Sequence, residues 1–487
     1  MQRACADCTL LNRPGSSVCE ACGAYLGQNC PPCTDDATGT DDAAGADDAF
    51  LVTARRLWDG LSDSTLEGEC GVGIAIRGGR IAWLGLLEDV PDWIRAFPVR
   101  EHHAEVDSTL MPGLIDCHVH IEFSCKHSLH AQPASCTSLP AMQARARHML
   151  RHGITTARDL GGNGGAIALR SAIRLREPSL PGPRLLCAGQ PITRPRGHCH
   201  QWGGEADCEA AIRRVVRRQL AAPIHADLIK IMATGGVRTP GTTPAEASFT
   251  KGEIEACVAE AAAGGRATAA HAHGVAGIGN AARAGVTTIE HCSWVEPGGG
   301  WGHDDPEVIR AIARQSIFVC PTIGAQWARN GLEHTMAPAL RRMVSAGVRL
   351  VYGSDAGAIP GLHHHRLADG LVVMSRCAQL SHAQALRTAT SEAAAALGLA
   401  DTCGSLCEGL SADVIVAHGN PLVDLEMICA PLLAVVCQGK LVKPCSGTAE
   451  RSMNPPWTWA RGRDERSASL GGFGSSERCA CARDPNC

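Results

Sequence analysis

Short apolar segments alternate with longer helical patterns between residues 110 and 399. This alternation is typical of β/α units arranged around a parallel sheet. Capping boxes that begin at Thr250 and Ser381 mark two of the helix starts. The pattern predicts an α/β fold in which an eight-stranded β/α (TIM) barrel spans residues 109–403. The eight candidate strands occupy residues 114–120, 154–159, 184–188, 227–233, 267–273, 287–291, 317–322 and 349–355.

Shorter apolar segments flank the barrel on both sides. Before it, they alternate with turns such as Gly78-Gly79, which is typical of a small β unit. After it, residues 412–416 and 432–436 have the pattern of strands that rejoin this unit. We therefore predict one small β-sandwich built from residues 50–108 and 404–445.

Two further segments offer little apolar surface to bury. Residues 31–49 are acidic and rich in Ala, Gly and Thr, whereas residues 446–487 are rich in Ser, Arg and Gly. Neither segment has the hydrophobic periodicity that a folded core requires. We expect a disordered acidic linker and a disordered tail.

The overall composition is that of a globular protein with a large core. Of the 487 residues, 45% are hydrophobic and 19% are charged. A formal net charge of -4 gives no global basic field for nucleic acid or an anionic membrane. No apolar stretch approaches the roughly 18 residues of a membrane span, and the N-terminus lacks the apolar core of a signal peptide. The 25 cysteines lie largely in apolar runs, so we expect reduced, buried thiols and a cytoplasmic location.

Side chains of metal-ligand type stand at the carboxyl ends of five predicted strands, where barrel enzymes place their active sites. His118 and His120 are two residues apart on one strand, so they share a face and can bind one ion together. Each such residue alone is more often structural, but five coincidences would be needed to explain them all. The other candidates of this kind are Lys230, His271, His273, His291 and Asp355.

Lys230 lies in the apolar run LIKIM at 228–232. A charged ammonium in such surroundings costs several kcal/mol unless it is compensated. One alternative is an ion pair with an aspartate, and another is an outward orientation between helices. Beside two cations, the neutral amine is favoured, and a neutral amine can add carbon dioxide to form a carbamate that bridges the ions.

Several motifs resemble those of a known enzyme group. The run MPGLIDCHVH at 111–120 resembles the first-strand motif of the amidohydrolase superfamily. The runs DLIKIMATGG at 227–236, HAHG at 271–274, TIEH at 288–291 and GSDAG at 353–357 are similar to its prolidase-like branch. Members of that branch are binuclear metallo-dipeptidases and relatives of imidazolonepropionase. The resemblance extends from residue 50 to residue 442.

The resemblance implies a site for two divalent metal ions, and zinc is the expected metal. His118, His120 and Asp355 would hold one ion, and His271 and His291 the other. Lys230, carboxylated, would bridge them. Three further residues are expected to face the substrate, namely His273, Arg238 and His198.

The implied reaction is hydrolysis of a C–N amide bond by a hydroxide that bridges the metals. Asp355 would shuttle the proton from the nucleophile to the leaving amine. The substrate classes are a dipeptide, an Xaa-Pro dipeptide or an N-acyl amino acid. The choice is open because residues 196–199 read RGHC where the branch has GGHG, and because residues 361–365 are unusually rich in histidine. A homo-oligomer is also left open.

Two other functions remain as alternatives. The first is a mononuclear cyclic-amide hydrolase or deaminase, similar to imidazolonepropionase, that uses no bridging lysine. The second is a zinc-finger adaptor whose barrel is inactive. The complete set of ligand-type residues argues against the second alternative.

The N-terminus contains a separate metal-binding pattern over residues 1–30. Cys5 and Cys8, with Cys19 and Cys22, form two knuckles whose spacing suits one tetrahedral structural zinc ion. The surrounding residues resemble the Ran-binding-protein-type zinc finger, which implies ubiquitin or single-stranded RNA as a partner. The tryptophan usual in that finger is replaced by Arg3, which leaves the partner open.

Overall fold

The computed structural model describes residues 3–4, 11–12, 49–127, 131–175, 181–325 and 331–442. Two short strands near the N-terminus, β1 (Arg3–Ala4) and β2 (Leu11–Asn12), pair antiparallel. The predicted zinc ligands Cys5, Cys8, Cys19 and Cys22 lie outside the described residues. So do the 446–487 tail and nearly all of the acidic linker.

Both flanks of the barrel contribute strands to one eight-stranded sheet. The order along the sheet is β18-β17-β16-β7-β3-β4-β5, and β6 pairs with β3. These strands are β3 (Phe50–Leu57), β4 (Leu66–Arg77), β5 (Arg80–Leu86), β6 (Val99–His103), β7 (Ser108–Pro112), β16 (Val414–His418), β17 (Ala434–Cys437) and β18 (Lys440–Val442).

Strand β16 joins two hydrophobic cores. Val414 and Val416 pack into the core of the flanking sheet, whereas Ile415 and Ala417 pack into the large core of the barrel. This alternation follows from the period of two in a β-strand, which sends successive side chains to opposite faces. The flanking sheet is therefore packed directly on the barrel.

Eight strands carry the β/α units of the described chain. They form two parallel sheets, β10-β9-β8 and β11-β12-β13-β14-β15, rather than one continuous ladder. Single bridges join the sheets at both edges, Val119 with Ala356 and Ile192 with Ile231. The strands are β8 (Leu114–Val119), β9 (Ile154–Asp159), β10 (Arg184–Cys187), β11 (Leu228–Met232), β12 (Ala267–Gly274), β13 (Thr288–Val295), β14 (Phe318–Cys320) and β15 (Arg349–Leu350).

The predicted helix starts are confirmed at two places. Thr250 and Ser381 each form a complete capping box, in which the cap side chain and the third helical residue satisfy each other's backbone N–H. No helix in the described ranges is long and apolar enough to cross a membrane. The helices are α1 (Asp92–Arg95), α2 (Leu139–Arg151), α3 (Gly165–Arg174), α4 (Glu209–Leu220), α5 (Lys251–Ala263), α6 (Val275–Ala284), α7 (Pro306–Arg314), α8 (Leu332–Ser345), α9 (Leu367–Ala378), α10 (His382–Thr388) and α11 (Ser391–Ala396).

The last predicted strand is shorter than expected. Residues 349–355 were predicted as one strand, but the ladder covers only Arg349–Leu350. Beyond Leu350, Tyr352 N donates to Thr388 O at the end of α10 rather than to a neighbouring strand, and Asp355, with a φ of 58°, leaves the extended conformation. Two hydrogen bonds, from Cys117 N to Tyr352 O and from Asp355 N to His118 O, still hold this segment against β8.

Replacing Ile415 by alanine tests how β16 joins the two cores. The side chain is fully buried, so Ile415→Ala should lower the free energy of unfolding by about 2–5 kcal/mol through lost contacts and a cavity. The control is His418→Ala on the same strand, where the side chain is exposed and a change within about 0.5 kcal/mol is expected. Denaturant unfolding measures both, and equal effects would contradict this packing.

Candidate metal centre

The parallel strands bring the predicted metal ligands to one rim of the barrel. His118 lies next to the end of β8, whereas His271 and His291 lie midway along β12 and β13. The pairing of β13 with β14 ends at Glu290, the residue before His291. Lys230 on β11 is level with Ala269, two residues before His271 and on the same face of the sheet. Asp355 follows β15. All are at most 8% exposed, so each needs partners inside the protein.

A first group of donors consists of two histidines and a carboxylate. The Asp355 Oδ1 atom lies 3.3 Å from His118 Nε2 and 3.5 Å from His120 Nε2. One donor atom from each of the three residues lies within 4.8 Å of the other two. At this separation the three atoms can bind one ion together. Burial opposes the ionised carboxylate, but His118 and His120 hold the pKa of Asp355 well below its usual value.

A second group consists of three histidines on β12 and β13. Donor atoms of His271, His273 and His291 also lie within 4.8 Å of one another. The pairing of the two strands shifts between Ala272 and Gly274, and such a bulge re-aims the side chain of His273. This geometry admits His273 as a metal ligand as well as a substrate contact. The two groups are adjacent, because the rings of His118 and His291 are 5.1 Å apart.

Hydrogen bonds to the second ring nitrogen orient three of these histidines. The Nδ1 atoms lie 2.9 Å from Glu290 Oε2 for His118, 2.7 Å from Gly161 O for His120, and 2.8 Å from Thr322 Oγ1 for His291. The carboxylate and the carbonyl oxygen only accept, so Nδ1 of His118 and of His120 carries the proton and leaves the Nε2 lone pair for a metal. The Thr322 hydroxyl can donate to or accept from His291 Nδ1, and in either case it orients the ring. Burial, followed by the neighbouring His273, holds the pKa of His291 well below its usual value, so its imidazole is neutral.

The buried amine of Lys230 is without a hydrogen-bond partner in the described part of the chain. Burial, and to a smaller extent the positive charge of Arg158, lowers the pKa of Lys230 to about 8. The neutral amine is therefore accessible near physiological pH, and the neutral amine is the form that reacts with carbon dioxide. The two alternative environments expected for Lys230, an ion pair and an outward orientation, are not found. No ion pair to Lys230 occurs in the described ranges, and the side chain is buried rather than directed to solvent.

A buried ion pair that sequence reasoning missed supports the first group. Glu290 bonds His118 through one carboxylate oxygen, and Arg158 donates to the other over 2.8 Å. Burial opposes its charge, but Arg158 and His118 hold the pKa of Glu290 well below its usual range. The sequence contained one signal, a charged residue in each of the apolar strands β9 and β13. The sequence does not show that these two charged residues pair, because Arg158 and Glu290 are 132 residues apart in the chain.

The backbone is strained at two ligands. His291 has a φ of 68° and Asp355 a φ of 58°, which is the left-handed region that side chains other than glycine rarely adopt. Such strain is of the order of 1–3 kcal/mol per residue and clusters at functional sites. The fold therefore holds these side chains in directions that a regular strand would not give them.

The three predicted substrate residues are placed unequally. His198 lies against the second group, with its ring 4.5 Å from that of His271 and its Nδ1 atom 2.8 Å from Thr239 Oγ1. The ring covers Gly236, where an added Cβ would meet it at 2.3 Å, so only glycine fits there. Arg238 is exposed and precedes Thr239 in the same segment. His198 thus reaches the centre, whereas Arg238 is exposed and adjoins it only through the neighbouring Thr239.

The donor set fits two divalent transition-metal ions. Imidazole nitrogens with a carboxylate suit zinc and its neighbours, and the second-shell bonds that orient such ligands are present. The Lys230 amine, which has no hydrogen-bond partner among the described residues, lies at the same rim. Calcium and similar ions prefer oxygen ligands, so they do not fit this site, in which most donors are nitrogens.

The charge of Glu290 should matter for metal binding. Glu290→Gln keeps the side-chain volume but removes the charge that makes His118 a stronger ligand, so metal affinity should fall by about 10- to 100-fold. Competition with a chromophoric chelator measures the affinity. The control is Glu307→Gln, which removes an exposed carboxylate on α7. Equal affinity in Glu290→Gln and wild type would show that Glu290 does not support the site.

Comparison with known proteins identifies the family. The profile of the Amidohydrolase family matches residues 109–442. Ochratoxinase from Aspergillus niger is 29% identical over 391 residues, which cover 72% of this chain and 78% of the relative. Imidazolonepropionase from Ralstonia nicotianae is 27% identical over 386 residues, covering 70% and 84%.

Solved structures agree with the sequence comparison. A Xaa-Pro dipeptidase with methionine bound in its active site superposes with a TM-score of 0.69 at 27% identity, covering 81% of this chain and 99% of that one. The A. niger ochratoxinase structure has a TM-score of 0.69 at 26% identity, with coverages of 82% and 96%. The matched residues span the barrel and every donor described above. The chain therefore belongs to the amidohydrolase family of hydrolases.

Proposed function

We propose that this chain is a binuclear metal-dependent hydrolase that cleaves a C–N amide bond in a dipeptide, an Xaa-Pro dipeptide or an N-acyl amino acid. The observation that carries the proposal is the buried Lys230 amine, which lies at the ligand rim without a hydrogen-bond partner in the described residues. A carbamate on this amine would supply two oxygens, one for each ion. His118, His120 and Asp355 would hold one ion, and His271 and His291 the other.

The chemistry divides between the metals and the chain. Two divalent ions, when bound, lower the pKa of a water molecule and polarise the scissile carbonyl. Asp355 is ionised at neutral pH, so a carboxylate oxygen can accept the proton of the attacking water. The same oxygen can return that proton to the leaving nitrogen, which departs as a neutral amine. His198 and His273, both neutral and buried, can hydrogen-bond the substrate beside this path.

The proposed substrates share a free carboxylate next to the cleaved bond. Arg238 is exposed at the edge of the centre, in the segment that also carries Thr239 and its contact to His198. A guanidinium binds a carboxylate through two parallel hydrogen bonds, which gives both affinity and orientation. The relatives support this class, since a solved neighbour is a Xaa-Pro dipeptidase and a curated relative is ochratoxinase.

A mononuclear cyclic-amide hydrolase is the second candidate, favoured by the similarity to imidazolonepropionase. The two candidates differ in one respect that can be measured, because the mononuclear enzyme has no use for Lys230. The metal content of a Lys230 variant therefore separates them.

Lys230→Ala should lose the bridge and with it most of the metal in the barrel. We expect the zinc content per chain to fall by about two ions relative to wild type, measured by elemental analysis of the full-length protein. Amidase activity should fall in parallel. Lys251→Ala is the control, since Lys251 is half exposed and pairs with Glu255 on α5. Unchanged metal content in Lys230→Ala would reject the binuclear proposal and favour the cyclic-amide candidate.

Arg238→Met should act on substrate binding rather than on chemistry. Loss of a bidentate carboxylate contact of about 1.5–3 kcal/mol predicts a rise in the Michaelis constant of the order of 10- to 100-fold, with turnover changed far less. Steady-state kinetics on an N-acyl amino acid measure both constants. The control is Arg266→Met, because this exposed residue lies before β12, at the opposite end of the strands. An unchanged Michaelis constant would reject this role for Arg238.

A further inference from the structure

The histidine-rich run GLHHHR at 361–366 is not used by the metal centre described above. Its middle residue is tied to that centre only by a backbone contact, where His364 Nε2 lies 3.1 Å from His120 O. His365 turns instead toward α2. There it meets His148 and His152, which are four residues apart and so occupy the same face at the end of the helix.

The three rings form a tight cluster. Ring centroids are 4.1 Å apart for His148 and His365, 4.5 Å for His148 and His152, and 4.6 Å for His152 and His365. One donor nitrogen of each ring lies within 4.8 Å of the other two. A tetrahedral zinc ion needs such nitrogens about 3.3 Å apart, given zinc–nitrogen bonds of about 2.0–2.1 Å. The nitrogens would have to approach one another by at most about 1.5 Å to reach this spacing.

A backbone contact selects the donor atom of His152. Its Nδ1 atom lies 2.8 Å from the carbonyl oxygen of His148, one helical turn earlier. A carbonyl oxygen only accepts, so the proton is on Nδ1 and the lone pair of the ring is on Nε2. The same arrangement orients histidines in known metal sites.

Burial and the neighbouring rings keep His365 in the form that binds metals. Burial, and then the adjacent His148 and His152, hold the pKa of His365 well below its usual value. Three rings this close cannot all carry charge, and neutral imidazole is the metal-binding form. The nearby cation Arg366 is paired with Asp369, which reduces its repulsion of a bound ion.

We propose that His148, His152 and His365 form a second metal site, separate from the catalytic centre, that binds a zinc ion or a similar divalent transition metal. Three imidazoles supply three of the four ligands of a tetrahedral ion, and water takes the fourth position. The ion links α2 to the 361–366 segment. It thereby holds the loop that follows Asp355, and His364 in that loop contacts the backbone of His120. The site does not depend on Lys230.

The test is zinc content per chain in full-length protein equilibrated with a zinc buffer. His365→Asn and His152→Asn should each remove one ion relative to wild type. The double variant should also remove only one, because both residues hold the same ion. The control is His382→Asn, a half-buried histidine on α10 that contacts only a backbone carbonyl in the hydrogen bonds of the described chain, and it should lose none. Lys230→Ala should retain this ion.

Unchanged zinc content in both single variants overturns the proposal, and a loss of two ions in the double variant does so as well. Far-ultraviolet circular dichroism first establishes that each variant is folded. Crystals of the unmodified protein grown with zinc give an answer that needs no variant. A peak among the three rings in the anomalous difference map at the zinc edge is expected, and its absence would overturn the proposal.

Discussion

A lysine amine buried at the rim of the barrel is the constraint on which this site depends. Lys230 lies on β11 among apolar neighbours, without a hydrogen-bond partner in the described residues. An ammonium ion left in such a place would destabilise the fold by several kcal/mol. In the proposed binuclear site, carboxylation would remove this cost by turning the cation into an anionic ligand, and two metal ions would in turn stabilise that anion. Fold stability and metal binding would then be coupled through one side chain.

The residues around the ligands form a chain of hydrogen bonds that orients them. Glu290 holds His118 in the orientation for binding, and Arg158 holds Glu290. Arg158 also donates to Cys117 O and to Thr288 Oγ1, so a single guanidinium connects β8, β9 and β13 beneath the site. The left-handed backbone at His291 and Asp355 turns those side chains inward. The strands thus position the donors, while the loops beyond them carry His198 and Arg238, the residues proposed to contact the substrate.

Strand positions and metal-ligand candidates could be predicted because each depends on local pattern. His118 and His120 follow an apolar strand, and parallel strands bring such ends together whatever the details of the fold. The pair Arg158 and Glu290 could not be predicted, since it forms between distant strands. The His148, His152 and His365 cluster was missed for the same reason, because only one of its contacts is local to a helix. The zinc finger remains a prediction, as its cysteines lie outside the described residues.

The proposed binuclear site requires a carbamate on Lys230. Apoprotein reconstituted with zinc and ¹³C-labelled bicarbonate allows a direct test by carbon NMR. We expect one protein-bound carbamate resonance in the wild-type protein and none in Lys230→Ala. Removal of the metal by a chelator should also remove the wild-type resonance. An active, zinc-loaded wild-type protein without this resonance would contradict the claim.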